Sequence, residues 1–217
     1  MVNKMKQILS PSRNPRNHAI DTITIHCMAG KMTAEQCAQW LARPETKASA
    51  NYCVGYDGSV CISVPENERS WASSNRDNDM RAVTIEVSND GGAPDWHVPD
   101  KALEALINLL VDVCKRNEIK ELKWQNNPAY VGKPELQNMT VHRWFAKKAC
   151  PGNYLMSKMP YIAKEVNERM KENISKEMQI CIDKGIIKGF SDGTYRPEET
   201  LTRNQMCGIL CRAFGWK

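Results

Sequence analysis

The sequence predicts an α/β domain, a mixed central sheet flanked by helices, followed by a small all-α tail. Three patterns carry that prediction. Apolar and polar residues alternate within residues 20–26 and again within 82–88, as half-buried strands do. Two β-rich runs flank Asp57-Gly58, a two-residue hairpin signal. An apolar stripe at helical spacing (Leu103, Leu106, Ile107, Leu110, Val113, Cys114) lies between the second alternating run and the C-terminal half. Strands separated by helices give layers of helix on sheet. The expected domain covers residues 1–171, and a compositionally different tail covers 175–217.

Length and composition exclude several classes. The chain has 217 residues, enough for one substantial core and an appendage. No segment approaches the eighteen or more apolar residues of a membrane span. The first residues carry charge without the apolar centre of a secretory signal, so synthesis in the cytoplasm without an export signal is expected. Nine cysteines at scattered spacings do not form a disulfide framework, and most are expected to be reduced packing residues. Lysine and arginine exceed the acids by five, spread along the chain. That favours anionic partners, and no nucleic-acid signature accompanies it.

Taken in order, residues 1–19 read as an irregular lead-in. Ile20 to His26 alternates, with Ile23 and Ile25 on one face and Thr22, Thr24 and His26 on the other. Thr33-Ala-Glu-Gln36 is a capping box opening a short helix through Cys37, Trp40 and Leu41, which Pro44 closes. Asn51 to Val64 supplies the two hairpin arms, with Tyr52 opening the first. Residues 65–81 read as a long surface loop near a site. In Ala82 to Ser88, Val83, Ile85 and Val87 point inward and Thr84 and Glu86 outward. Pro99-Asp100 opens what reads as the longest helix, and Trp124 to Leu136 as a loop delivering the chain to His142. A last domain helix spans 154–171, with Leu155, Met159, Ile162 and Val166 facing in.

Chemistry concentrates in Val141 to Gly152, where His142, Lys147, Lys148 and Cys150 precede a Pro-Gly break. Imidazole and thiolate are zinc ligands, and a catalytic zinc site needs three protein ligands with one position open. This segment supplies two candidates. A surface histidine beside a buried cysteine is the plainer alternative.

Thr-Ile-Thr-Ile-His26, Asn-Tyr52 with the Asp57-Gly58-Ser-Val turn, Val-Thr-Ile-Glu86-Val, and Val-His142 through Lys148-Ala-Cys150-Pro-Gly occur in an order that resembles the zinc-dependent N-acetylmuramoyl-L-alanine amidases of type 2. That family includes peptidoglycan recognition proteins and phage lysozymes of amidase type. The resemblance implies Zn2+ on His26, His142 and Cys150, a catalytic role for Lys148 and Tyr52, and Glu86 at a position catalytic in some members. It implies hydrolysis of the amide between N-acetylmuramic acid and L-alanine by a zinc-activated water, with peptidoglycan as partner. The chain departs from the family at Cys53 and at Ala-Ser-Ser after Trp71, where histidines often stand. A binding protein of the same fold and a cytoplasmic muropeptide-recycling amidase are the rival readings.

The tail holds Ile180 to Pro197 and Leu201 to Met206, which resemble one S-layer homology repeat. Met178, Cys181 and Ile182 stripe a first helix that Gly185 stops. Thr202-Arg-Asn-Gln205 is a second capping box, opening a helix with Met206, Ile209, Leu210, Ala213 and Phe214 on its apolar side. The resemblance implies attachment to a secondary cell-wall polymer, with Arg203 and the Asp192-Gly193 loop as contacts. Such a short piece lacks an independent core. The single copy therefore predicts self-association into a homo-oligomer, or docking on the domain. Together these features describe a phage or prophage endolysin that acts on the wall after release.

Overall fold

The computed structural model describes residues 5–171, 175–190, 194–197 and 199–216, and divides into two compact units, residues 5–167 and residues from 168 onward. In chain order the first holds β1 (Lys6–Gln7), β2 (Arg13–Pro15), β3 (Thr22–Cys27), α1 (Ala34–Leu41), β4 (Tyr52–Val54), β5 (Val60–Ile62), β6 (Glu68–Ser70), α2 (Arg76–Arg81), β7 (Ala82–Val87), α3 (Asp100–Arg116), β8 (Met139–Val141) and most of α4 (Gly152–Lys171). The main sheet runs β1-β5-β4-β7-β3-β8, and β2 pairs with β6 separately. Only β4 and β5 are antiparallel in the main sheet; its other neighbours are parallel.

The expected mixed sheet flanked by helices is therefore present. Parallel strands are covered on both faces, and all six residues of β3 are buried, Thr24 and His26 included. The sheet face read from sequence as polar is thus an interior face. α1 covers it, packing Ala34, Cys37, Ala38 and Leu41 against Cys53 and Cys61. Thr33 and Gln36 form the full capping box that starts α1, with bonds of 3.2 and 2.8 Å. α3 lies against β4 and β7 and buries the predicted stripe. Each of those aliphatic side chains contributes about 1.5–3 kcal/mol by leaving water.

Several expectations required correction. The hairpin closes on Gly55 N–H to Ser59 O at 2.8 Å, so three residues turn the chain and Gly58 takes the left-handed conformation at φ 84°. The lead-in and the loop of residues 65–81 are not irregular throughout, because Arg13–Pro15 and Glu68–Ser70 pair antiparallel and Arg76–Arg81 is helical. β8 extends the sheet in a stretch the sequence left unassigned, between the expected loop of Trp124 to Leu136 and His142; three residues are too few to show a period. α4, at 20 residues, exceeds the 17 of α3.

In the second unit, α5 (Lys176–Asp183) is capped by Ser175 and α6 (Arg203–Phe214) by the predicted Thr202–Gln205 box. Gly185 follows α5 at φ 69° and Gly215 ends α6 at φ 66°. Arg212 Nε donates to Ile186 O at 2.7 Å, tying α6 to the turn after α5. The predicted apolar side of α6 is largely uncovered: Met206, Leu210 and Phe214 are 49, 40 and 64 % exposed. Arg203 sits exposed in the first turn of α6, whereas Asp192 and Gly193 lie outside the described residues.

Candidate active site

β3 and β7 run parallel in register, with His26 beside Glu86, and the row continues to Cys53 on β4. Neighbours in one row of a sheet project to the same face, so His26, Glu86 and Cys53 share the α1 side. β8 pairs Val141 with Ile25, which places His142 one step beyond, at the carboxyl end of the next strand. Open α/β sheets bind ligands outside the carboxyl ends of their parallel strands. Here that edge carries both histidines.

Cys150 reaches the same point through a closed loop. Arg143 N–H donates to Cys150 O at 3.1 Å, and the Arg143 guanidinium donates to Ala149 O. Beyond it, Asn153 and Tyr154 N–H donate to Pro94 and Asp95 carbonyls at 3.2 and 3.0 Å, fixing the start of α4. Gly152 is required there: at φ 89°, an added Cβ would stand 2.8 Å from both Asp95 O and the Trp96 ring. Cys27 N–H donates to Cys150 Sγ at 3.4 Å.

The assembled cluster is compact. One ligand atom each from His26, His142 and Cys150 lies within 4.8 Å of the others. Cys150 Sγ stands 3.6 Å from His26 Nδ1, and Glu86 Oε1 stands 3.9 Å from the same nitrogen. The imidazole rings of His26 and His142 are 5.0 Å apart. Two ligands of a tetrahedral zinc, one nitrogen and one sulfur, are separated by about 3.6 Å. The spacing and the N, N, S donor set fit zinc.

Burial and neighbouring groups set the protonation of the cluster. Burial, reinforced by the neighbouring His142, pushes the His26 imidazolium down to about 3, so the ring is neutral and ready to ligate. His142 is lowered too, by burial and then by the Lys148 ammonium. Without a metal the Cys150 thiol is held protonated by its contact with the Cys27 thiol and by burial. Glu86 is pushed well above the usual carboxylate range by burial, then by Cys37 and Cys27. His26 Nε2 and Glu86 Oε2 are buried with no protein partner among the described residues. Native interiors rarely leave such atoms unpaired without a functional reason.

Tyr52 does not belong to this cluster. It pairs with Ile85, one row away from Glu86, so its side chain leaves the opposite face of the sheet. Its hydroxyl donates to Glu66 Oε1 at 2.8 Å and accepts from Arg116 at 2.9 Å. The expected catalytic role is corrected on that ground: sequence order located the strand, but the parity of the residue decides the face. Lys148 is exposed, and its charge acts on His142. His97 is on the surface, paired with Asp90 at 2.6 Å, and His18 is exposed.

Two further contacts went unread in the sequence. Ser74 Oγ lies 3.2 Å from His142 Nε2. Beneath the ligands, Thr24 and Thr140, each two residues before a histidine, meet at 2.7 Å, and the buried Asn78 amide bridges both at 3.0 Å. The repeated Thr-x-His spacing was a visible signal for the threonines; nothing local marked Asn78 or Ser74.

Comparison with known proteins gives this geometry a family. A family model described as N-acetylmuramoyl-L-alanine amidase matches residues 16–153. The chain belongs to that family. It is an amidase hydrolase of peptidoglycan, acting at the bond between N-acetylmuramic acid and L-alanine. A second model, the S-layer homology domain, matches residues 170–207 and supports binding to the cell wall. Solved structures share the fold. They include a mutant endolysin from Bacillus subtilis (TM-score 0.55, 22 % identity, covering 76 % of this chain and 99 % of that one). The PlyG catalytic domain has a TM-score of 0.59 at 14 % identity, covering 79 % and 98 %. The N-acetylmuramoyl-L-alanine amidase LysC from Clostridium intestinale has 0.51 at 16 %, covering 76 % and 97 %. No curated protein matches the chain. Among the described residues, no helix of the amidase is long and apolar enough to cross a membrane.

Proposed function

We propose that this amidase works through Zn2+ held by His26, His142 and Cys150, with Glu86 and Lys148 as its catalytic side chains. One observation carries the proposal: two neutral imidazoles and a thiol converge within 4.8 Å at the carboxyl ends of adjacent parallel strands. Zinc in such a site acidifies a bound water and polarises an amide carbonyl. Glu86 Oε1, 3.9 Å from His26 Nδ1, is placed to take the proton of the attacking water and return it to the departing L-alanine amine. Lys148, two residues before Cys150, brings positive charge to the rim where oxygen acquires charge in the transition state. With Tyr52 on the other face, Glu86 inherits the proton-transfer role that the sequence left divided between them.

We assign residues 1–171 to the catalytic domain and 175–217 to a wall-binding module, in which Arg203 contacts a secondary cell-wall polymer. The uncovered side of α6 supports association of modules into a homo-oligomer, with Trp216, 62 % exposed and stacked on Phe214, extending that side. Light scattering on the full chain tests this, and a monomer at all concentrations rejects it. In this reading the protein is an endolysin made in the cytoplasm that meets the wall after release.

The decisive experiment uses intact peptidoglycan. Purified protein should release L-alanine amino groups without new reducing ends; a chelator should stop release and added zinc restore it. Undiminished release from protein shown to be metal-free would reject the zinc reading.

A further inference from the structure

The amidase family alone does not explain why Ser74 stands where it does. Ser74 has φ 64°, a left-handed conformation unusual for serine, and its Oγ lies 3.2 Å from Nε2 of His142. The segment carrying it is held on every side. The buried Asp79 carboxylate accepts Ala72 N–H at 3.1 Å and Ser73 N–H at 3.2 Å. Ser73 Oγ donates to Asn75 O at 3.2 Å, and Asn75 caps α2 by accepting Asn78 N–H at 2.9 Å. Asn78 in turn joins Thr24 and Thr140, two residues before His26 and His142. One short stretch, Ala72 to Asn78, therefore grips both histidine-bearing strands from below and touches one ligand ring directly.

A histidine that binds a metal through one nitrogen needs a defined partner for the other, which fixes the tautomer and the angle of the ring. In His142 the partnered nitrogen is Nε2. We infer that Ser74 is a positioning residue for the metal centre: its hydroxyl accepts the Nε2–H of His142 and so presents Nδ1 to zinc. The inference rests on the zinc reading above. It makes Ser74 more than a loop residue at the rim, because loss of its hydroxyl frees the His142 ring while leaving all three ligands in place.

The test is the zinc dissociation constant of the full chain, read by competition with a chromogenic chelator. Ser74→Ala should weaken zinc binding about 10- to 100-fold. Ser74→Gly, which suits the left-handed backbone and lacks the hydroxyl, should weaken it equally, separating the lost hydrogen bond from backbone strain. Ser74→Asn tolerates that conformation and supplies an acceptor, and should recover most of the affinity. Wild-type binding by both Ala and Gly variants would overturn the inference. So would 15N chemical shifts of zinc-loaded protein showing His142 metallated at Nε2. A wild-type chain that binds no zinc would instead reject the zinc reading itself, so the two failures are distinguishable.

Discussion

The two faces of the sheet each carry a polar cluster, part-buried on one side and buried on the other, and they are built on opposite principles. On one face, Glu66 is fully engaged: it accepts from Arg116 at 2.7 Å, from Asn117 at 2.8 Å and from Tyr52 at 2.8 Å. Burial raises its carboxyl, but these hydrogen bonds outweigh that and hold it below the ordinary carboxylate range. On the other face, Glu86 and His26 keep buried atoms without protein partners, and burial drives both toward their neutral forms. A satisfied cluster stabilises the fold, whereas the other face brings His26 Nδ1 within 3.6 Å of the Cys150 thiol, a donor set that a metal can use. A tyrosine and a glutamate that look equally catalytic in sequence thus divide into structure and chemistry.

Substitutions can break this contrast, beginning with the largest effect. Cys150→Ser should abolish detectable amide cleavage and bound zinc while leaving the melting temperature of the metal-free protein nearly unchanged. Retained turnover by metal-replete variant would put the thiol outside the site. Glu86→Gln should lower kcat about 10²- to 10⁴-fold, the usual contribution of a positioned acid–base group, with zinc still bound. Arg116→Ala, in contrast, should leave kcat intact and cost about 1–3 kcal/mol in urea unfolding, since that pair is only partly buried. Tyr52→Phe should be the mildest, near 1 kcal/mol of stability for its lost hydrogen bonds and unchanged turnover. A large fall in turnover there would return Tyr52 to the mechanism.

Acid should separate the faces as well. The folded carboxyl of Glu66 titrates below its unfolded value, so its contribution is complete above the unfolded range, near pH 4.3–4.5, and is lost as pH falls through the folded value. Urea midpoints measured from pH 6 downward should decline below about pH 4.5. In Glu66→Gln the decline should be shallower.

The fold class, the two capping boxes and the stripe of α3 were legible in the sequence because each rests on local spacing, and the ordered motifs named His26, His142 and Cys150, which the structure brings within 4.8 Å of one another. Periodicity recovered β3 and β7 for the same reason. It also misjudged them, since alternation marks two faces without telling whether the second is open to water; here α1 covers it. The paired strands β2 and β6 were invisible because their stability comes from each other, across more than fifty residues.

What the sequence determined by itself is therefore the inventory: which strands and helices form, and which side chains can bind a metal or carry charge. Only the tertiary structure decided which of those side chains meet. The register of β3, β7 and β8 puts His26, Glu86 and His142 on one edge, and the same register turns Tyr52 away by a single residue. Ser74 reaches His142, and Asn78 reaches Thr24 and Thr140, from a segment with no period of its own. Convergence of residues more than a hundred positions apart depends on strand pairing and packing, and those long-range terms leave no local trace in the chain.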